Sequence, residues 1–310
     1  MTMTVLDQRL LDLVSEDVQV DKISTGHRFT EGPVWHHRDR VLTFSDVFGR
    51  KMHRWTEQGG TVSLRDPSGE GNGNTYDHAG NLITCEHQNR RVSRTLPGGT
   101  IETVVDRYQG GRLNSPNDVI CAPNGDIIFT DPTFGLRQPD GTMLEQEYPC
   151  AGVFRYSPVD ASLRLLVDDV VAPNGLAISD DGRTFYVDDS RELHVRAFDV
   201  ADDGSLINSR IVCKLEYQDE SALPDGMKLD SQGNLYVAAN NRLGVWVYAP
   251  DGTLLGMIGV GEERSIFRDS PGGPANLCWG GDDWQTMFVT AVSSVYRLRM
   301  KVPGQPVRLR

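Results

Sequence analysis

From about residue 17 onward the chain is written in short runs of alternating apolar and polar residues. Gly, Asp, Asn and Pro separate the runs, and helical spacing is nearly absent after about residue 15. One run recurs six times: RVLTFSD (40–46), NLITCEH (81–87), DIIFTDP (126–132), RTFYVDD (183–189), NLYVAAN (234–240) and QTMFVTA (285–291). Anchored on Leu42, Leu82, Ile127, Phe185, Leu235 and Met287, the repeats are spaced by 40, 45, 58, 50 and 52 residues. Before most anchors lies a turn such as DHAG, PNGD, DDGR or DSQG, and before that turn another short apolar strand. A third strand follows (RRVSRTL, GVFRYSP, HVRAFDV, GVWVYAP, SVYRLRM), then a turn and a fourth. Four antiparallel strands in about fifty residues make one blade of a β-propeller, and the length holds six.

The chain ends agree. The sixth unit stops after its third strand, while DVQVDKIS (17–24) begins the chain as a strand without a blade. Pairing the two closes the ring and removes its exposed edge. The expectation is an all-β, six-bladed β-propeller over 17–302, closed by an N-terminal strand. An extension at 1–16 has room for a short helix, and 303–310 forms a tail. A β-sandwich pair would not repeat a four-strand unit six times.

Phase within the repeat separates two similar words. In CAPNGDIIF, Asn124 lies three residues before its anchor, in a hairpin turn; in VAPNGLAIS, Asn174 lies eleven before, at the start of a first strand. The same phase selects Glu31, Asn72, Asn117 and Asp225, at 11, 10, 10 and 10 residues before their anchors, and in blade six only Ala275 or Asn276. First strands are innermost and run the same way along the channel, so their starts converge at one depth. The donors are all oxygens, with carboxylates at Glu31 and Asp225 and amides at Asn117 and Asn174. Oxygen-only ligation with two negative charges suits one hard divalent cation, Ca²⁺ before Mg²⁺, with Mn²⁺ or Zn²⁺ as lesser alternatives.

Four residues after the anchors stand Asp46, Glu86, Asp131 and Asp189. Because first and second strands are antiparallel, these acids are expected to rim the same mouth, with His87 beside them. Each could support the metal, contact substrate or be a solvated loop residue. The long third interval comes from about sixteen extra residues in TFGLRQPDGTMLEQEYPC, and the stretch 136–148 is expected to wall or cover the site.

A net charge of −12 without long runs of one sign argues against nucleic acid as partner. No run is apolar and long enough to span a membrane, and the first residues lack a signal-peptide pattern, so a cytoplasmic location is expected. Five scattered cysteines without Cys-x-x-Cys spacing read as small buried thiols.

EGPVW, SPNDV, TDPTFG, PNGLAIS, PDGMKLD and CEHQNRRVSR, in this order over roughly 28–290, resemble the gluconolactonase and regucalcin family of calcium-binding six-bladed propellers. The resemblance implies metal ligation by Glu31, Asn117, Asn174 and Asp225, an acid/base role for Asp225 and substrate contact by Asn72. It implies hydrolysis of a sugar lactone such as glucono-1,5-lactone; from their place at the rim, Glu86, His87 and Asp131 are expected to orient its hydroxyls together with Asn72. Hydrolysis of a phosphotriester or another ester on the same metal, or calcium binding without catalysis, are the competing readings.

Overall fold

The structure is a computed structural model that describes residues 3–138, 140–218, 220–240, 242, 244–261 and 272–309. Six antiparallel sheets, five of four strands and one of five, stand around a channel. Blade one comprises Thr30–His36, Val41–Asp46, Lys51–Thr56 and Gly60–Arg65; blade two, Gly71–Tyr76, Leu82–Glu86, Arg91–Thr95 and Ile101–Val105. Blade three comprises Val119–Cys121, Ile127–Asp131, Gly152–Ser157 and Ser162–Val167; blade four, Pro173–Ile178, Thr184–Asp189, His194–Val200 and Leu206–Lys214. Blade five comprises Pro224–Leu229, Leu235–Ala239, Val245–Tyr248 and Leu254–Ile258. Blade six takes Asn276–Gly280, Thr286–Ala291 and Ser294–Arg299 from the end of the chain, and Val20–Thr25 pairs antiparallel with the last of these. The ring is therefore closed by the N-terminal strand, as its orphan position in the sequence implied. The first strands touch one another in ring order, from blade one round to blade six and back.

The second strands of blades one, two, three and five are buried along their whole length because blades stack face to face. A separate apolar cluster fills each joint. Trp35, Phe44 and Phe288 lock blade six to blade one, while Val34, Met52, Tyr76 and Leu82 lock one to two. At the joint of blades five and six, Leu10 and Leu13 of a one-turn helix, Leu10–Leu13, plug in beside Tyr236 and Trp279.

Two terminal features add to the expected plan. Met3–Val5 pairs with Leu254–Ile258 as a fifth strand on blade five. The C-terminal segment crosses the lower end of the channel: Gly304 bridges Asp230, and Gln305, Pro306 and Val307 face Asn74, Ile120, Ile178 and Lys228 from four inner strands. Arg308 pairs with Asp180 of blade four. No helix is long and apolar enough to cross a membrane among the described residues, and all five cysteines are free.

Candidate functional site

Four of the six inner strands reach the upper mouth through a distortion. In blades one, two, four and five the ladder to the second strand shifts register at Glu31/Val34, Gly71/Asn74, Pro173/Leu176 and Pro224/Met227. Such bulges re-aim side chains, here toward the axis. The residue after each ring position is Gly in those four blades, and crowding explains it. A Cβ on Gly175 would lie 2.1 Å from the Asp225 carbonyl oxygen, and one on Gly226 would lie 2.0 Å from Asn276 Cγ. Neighbouring inner strands also bond directly, Gly73 N donating to Asn117 O at 2.8 Å and Gly226 N to Ala275 O at 2.7 Å. Asn124, by contrast, sits in a hairpin turn, its Oδ1 accepting the Asp126 amide while Gly125 takes φ +95°. The two Pro-Asn-Gly words thus have different roles, as their phases indicated.

Glu31, Asn72, Asn117, Asn174 and Asp225 together line one cavity of about 640 Å³, joined there by His87, Ser190 and Asn240. Blade six contributes Ala275, whose carbonyl accepts from the Gly226 amide, and Asn276, whose side chain hydrogen-bonds Glu31 while its Oδ1 accepts from the Leu277 amide. Asn240 Nδ2 donates to Asp225 Oδ2 at 2.5 Å, Asn174 Nδ2 to Ser190 Oγ at 3.1 Å, and Asn72 Nδ2 meets His87 Nε2 at 3.2 Å.

The rim acids correct the expected picture. Glu86 and Asp131, expected to orient substrate hydroxyls, are fully buried outside the cavity, and Asp46 and Asp189 are buried too. They tie the loops that lead into the inner strands. Asp46 Oδ1 accepts the amides of Arg28, Phe29 and Gly49, and Asp189 accepts those of Val171, Ala172, Arg191 and Glu192. Asp131 Oδ2 accepts the Asn114 amide and the Tyr148 hydroxyl. Glu86 is held by Arg65 at 2.7 Å and Arg91 at 2.8 Å. The physical reason is alternation: successive strand residues face opposite sides. The cavity therefore sees the next position, five after the anchor, occupied by Val47, His87, Ser190 and Asn240. Ser190 and Asn240 were missed for want of that one-residue shift.

Electrostatics mark the channel as short of positive charge. Burial first, then the Glu31 charge, pushes Asp225 well above the usual carboxylate range. Burial, with Asp118 adding, raises Glu31 to about 7. Below them Asp188 is raised by burial and by Asp225, and its Oδ1 has no hydrogen-bond partner. Lys228 alone among the described residues brings a cation to this set, 3.6 Å from Asp118. Asn72 Oδ1 is likewise buried without a partner. Four carboxylates, one ammonium and orphaned oxygens form a donor set suited to a hard divalent cation. Burial lowers His87 to about 4, so its ring is neutral. Asp131, raised to about 8 by burial, holds its proton in the loop clamp.

The long loop walls the mouth. Phe134, Gly135 and Arg137 face the cavity, and Met143 and Leu144 extend the wall outward. Its far end is anchored by Tyr148 on Asp131 and by Glu147 on Arg90. Residue 139 of the 136–148 stretch lies outside the described residues.

These features define a class: a six-bladed propeller whose inner strands gather acids and amides into one polar, oxygen-rich pocket at the upper mouth. More narrowly, the chain belongs to the SMP-30/Gluconolactonase/LRE-like family, whose sequence model matches residues 29–293. It is 32% identical to a gluconolactonase of Zymomonas mobilis over 97% of this chain and 86% of the relative. It is 27% identical to the pentonolactonase XacC of Haloferax volcanii, over 86% of this chain and 83% of that one. A solved gluconolactonase from Xanthomonas campestris superposes with a TM-score of 0.85 at 32% identity, covering 97% of this chain and 95% of that one.

Proposed function

We propose that this protein opens sugar lactones to their aldonic acids, with Glu31, Asn117, Asn174 and Asp225 holding a divalent cation, best Ca²⁺, and Asp225 moving the proton. The observation that carries this reading is the convergence of those four residues, with Asn72, in a single pocket. Lactonase relatives over most of the chain support the substrate class. A cation bound there supplies the charge that lets Glu31 and Asp225 ionise together and that draws electron density from the lactone carbonyl.

The chain's own groups do the rest. Asn240, on Oδ2, and Asn174 hold the Asp225 carboxylate by hydrogen bonds and so orient it to take a proton from the attacking water. The water oxygen bonds to the lactone carbonyl carbon, the bond from that carbon to the ring oxygen breaks, and Asp225 returns the proton to the leaving oxygen. No covalent intermediate with the protein is needed. Asn72 and the neutral ring of His87 offer donors and acceptors to sugar hydroxyls. Phe134 and Arg137 wall the ring from bulk water.

The test is acid release from glucono-1,5-lactone followed by pH-stat. Activity is expected to vanish in EDTA, and Asp225→Asn with metal still bound is expected to lose a factor of about 10²–10⁴ in kcat. Turnover retained by that metal-loaded variant refutes the acid/base assignment. A pentono-lactone run in parallel reads ring-size preference.

A further inference from the structure

We propose that His27, Asp46 and His53 form a second cation site, of zinc type, that latches the closure of the ring. It lies outside the channel and uses none of its ligands. One donor atom from each of the three residues lies within 4.8 Å of the others. His27 Nδ1 stands 3.9 Å from Asp46 Oδ2, and the two imidazole centroids are 4.7 Å apart. Tetrahedral zinc, with bonds of about 2.0–2.2 Å, spaces its ligand atoms by about 3.4 Å, so small side-chain rotations complete the site.

The supporting contacts already aim the donors. Asp46 spends Oδ1 on three backbone amides, of Arg28, Phe29 and Gly49, and keeps Oδ2 toward His27. Ser24 Oγ lies 2.7 Å from His27 Nε2 and can accept its hydrogen, which leaves the Nδ1 lone pair facing Asp46. Fixing one ring nitrogen so that the other can bind metal is how metal-ligating histidines are usually oriented. His53 Nε2 is buried and has no hydrogen-bond partner, a cost that a cation beside the ring removes. Phe44 flanks both rings, at 5.1 and 5.3 Å, and lowers the local dielectric. Two imidazoles and one carboxylate, with a fourth position for water, select Zn²⁺ or a similar borderline ion over Ca²⁺.

The location gives the ion its role. Ser24 belongs to the closing strand Val20–Thr25, Asp46 and His53 belong to the second and third strands of blade one, and His27 lies on the connection between them. An ion held by all three ties the closing strand's exit to blade one. Its removal loosens the seam at which the first and last parts of the chain meet.

The test uses the full chain carrying Glu31→Gln and Asp225→Asn, which disables the channel site. Calorimetric titration with Zn²⁺ is expected to show one equivalent bound, with Tm raised by about 4 °C at a free Zn²⁺ concentration about 100-fold above Kd. His27→Gln or His53→Gln on that background is expected to abolish both. Co²⁺ added to the unsubstituted protein gives a second readout free of variant folding: the intense visible bands of tetrahedral, imidazole-bearing cobalt. Absence of Zn²⁺ binding in the background, an equivalent and Tm shift untouched by both histidine substitutions, or only the weak bands of six-coordinate oxygen-bound cobalt overturns the proposal.

Discussion

With no cation in the channel, the stability of this propeller should depend on pH through Glu31. Its carboxyl is raised from an ordinary 4.5 to about 7, by burial first and by Asp118 further. A carboxyl with a raised folded pKa stabilises the fold while protonated, so its contribution is complete below about pH 4.5 and is lost as pH climbs through about 7. The difference of 2.5 between 7 and 4.5, at 1.36 kcal/mol per pKa unit, amounts to about 3 kcal/mol. For 310 residues at about 2.1 cal/mol/K each, unfolding carries about 0.65 kcal/mol/K, so the loss corresponds to about 5 °C in Tm. The assay is a set of thermal melts in EDTA from pH 4 to pH 8, comparing the natural chain with Glu31→Gln, which keeps the shape and cannot ionise. Asp131, also raised, contributes equally to both chains and cancels in the comparison, whereas Asp225, raised in part by the Glu31 charge, ionises more readily in the variant and widens the gap. The natural chain should lose about 5 °C more than the variant, and saturating Ca²⁺ should restore it. Parallel curves for the two chains in EDTA would refute the claim that an uncompensated acid sits at Glu31.

Glu86→Gln separates a clamp from a substrate contact: breaking its pairs with Arg65 and Arg91 should cost about 3 kcal/mol in denaturant titrations, with KM for the lactone preserved in the folded fraction. Gly175→Ala drives a methyl into the Asp225 carbonyl; unfolding free energy should fall by about 1–3 kcal/mol and kcat should fall with it, because Asp225 moves.

The fold was legible because a blade repeats its alternation and its hairpin turns, so six weak signals reinforced one another. Phase carried the site as well. Asn174 differs from Asn124 only in its distance from the next strand, yet one lines the pocket and the other closes a turn. What stayed hidden is what alternation alone cannot assign. The acids at Glu86 and Asp131 are conspicuous by residue type, but whether a strand's last residue faces the mouth or the neighbouring loop depends on where the ladder ends, and Ser190 and Asn240 beyond it lie in ordinary-looking sequence. The pairing of Met3–Val5 with blade five was out of reach for a different reason: three residues are too few to show a period. His27 and His53 meet across two strands and a connection, a juxtaposition that no local spacing announces.

Among the described residues, the C-terminal segment laid across the lower end of the channel closes that end and leaves the upper mouth as the way into the pocket. Lactone, hydrolytic water and the acid product all pass the wall formed by Phe134 and Arg137, so an aldonate that lingers there bars the next substrate, and traffic through that opening becomes part of the turnover rate.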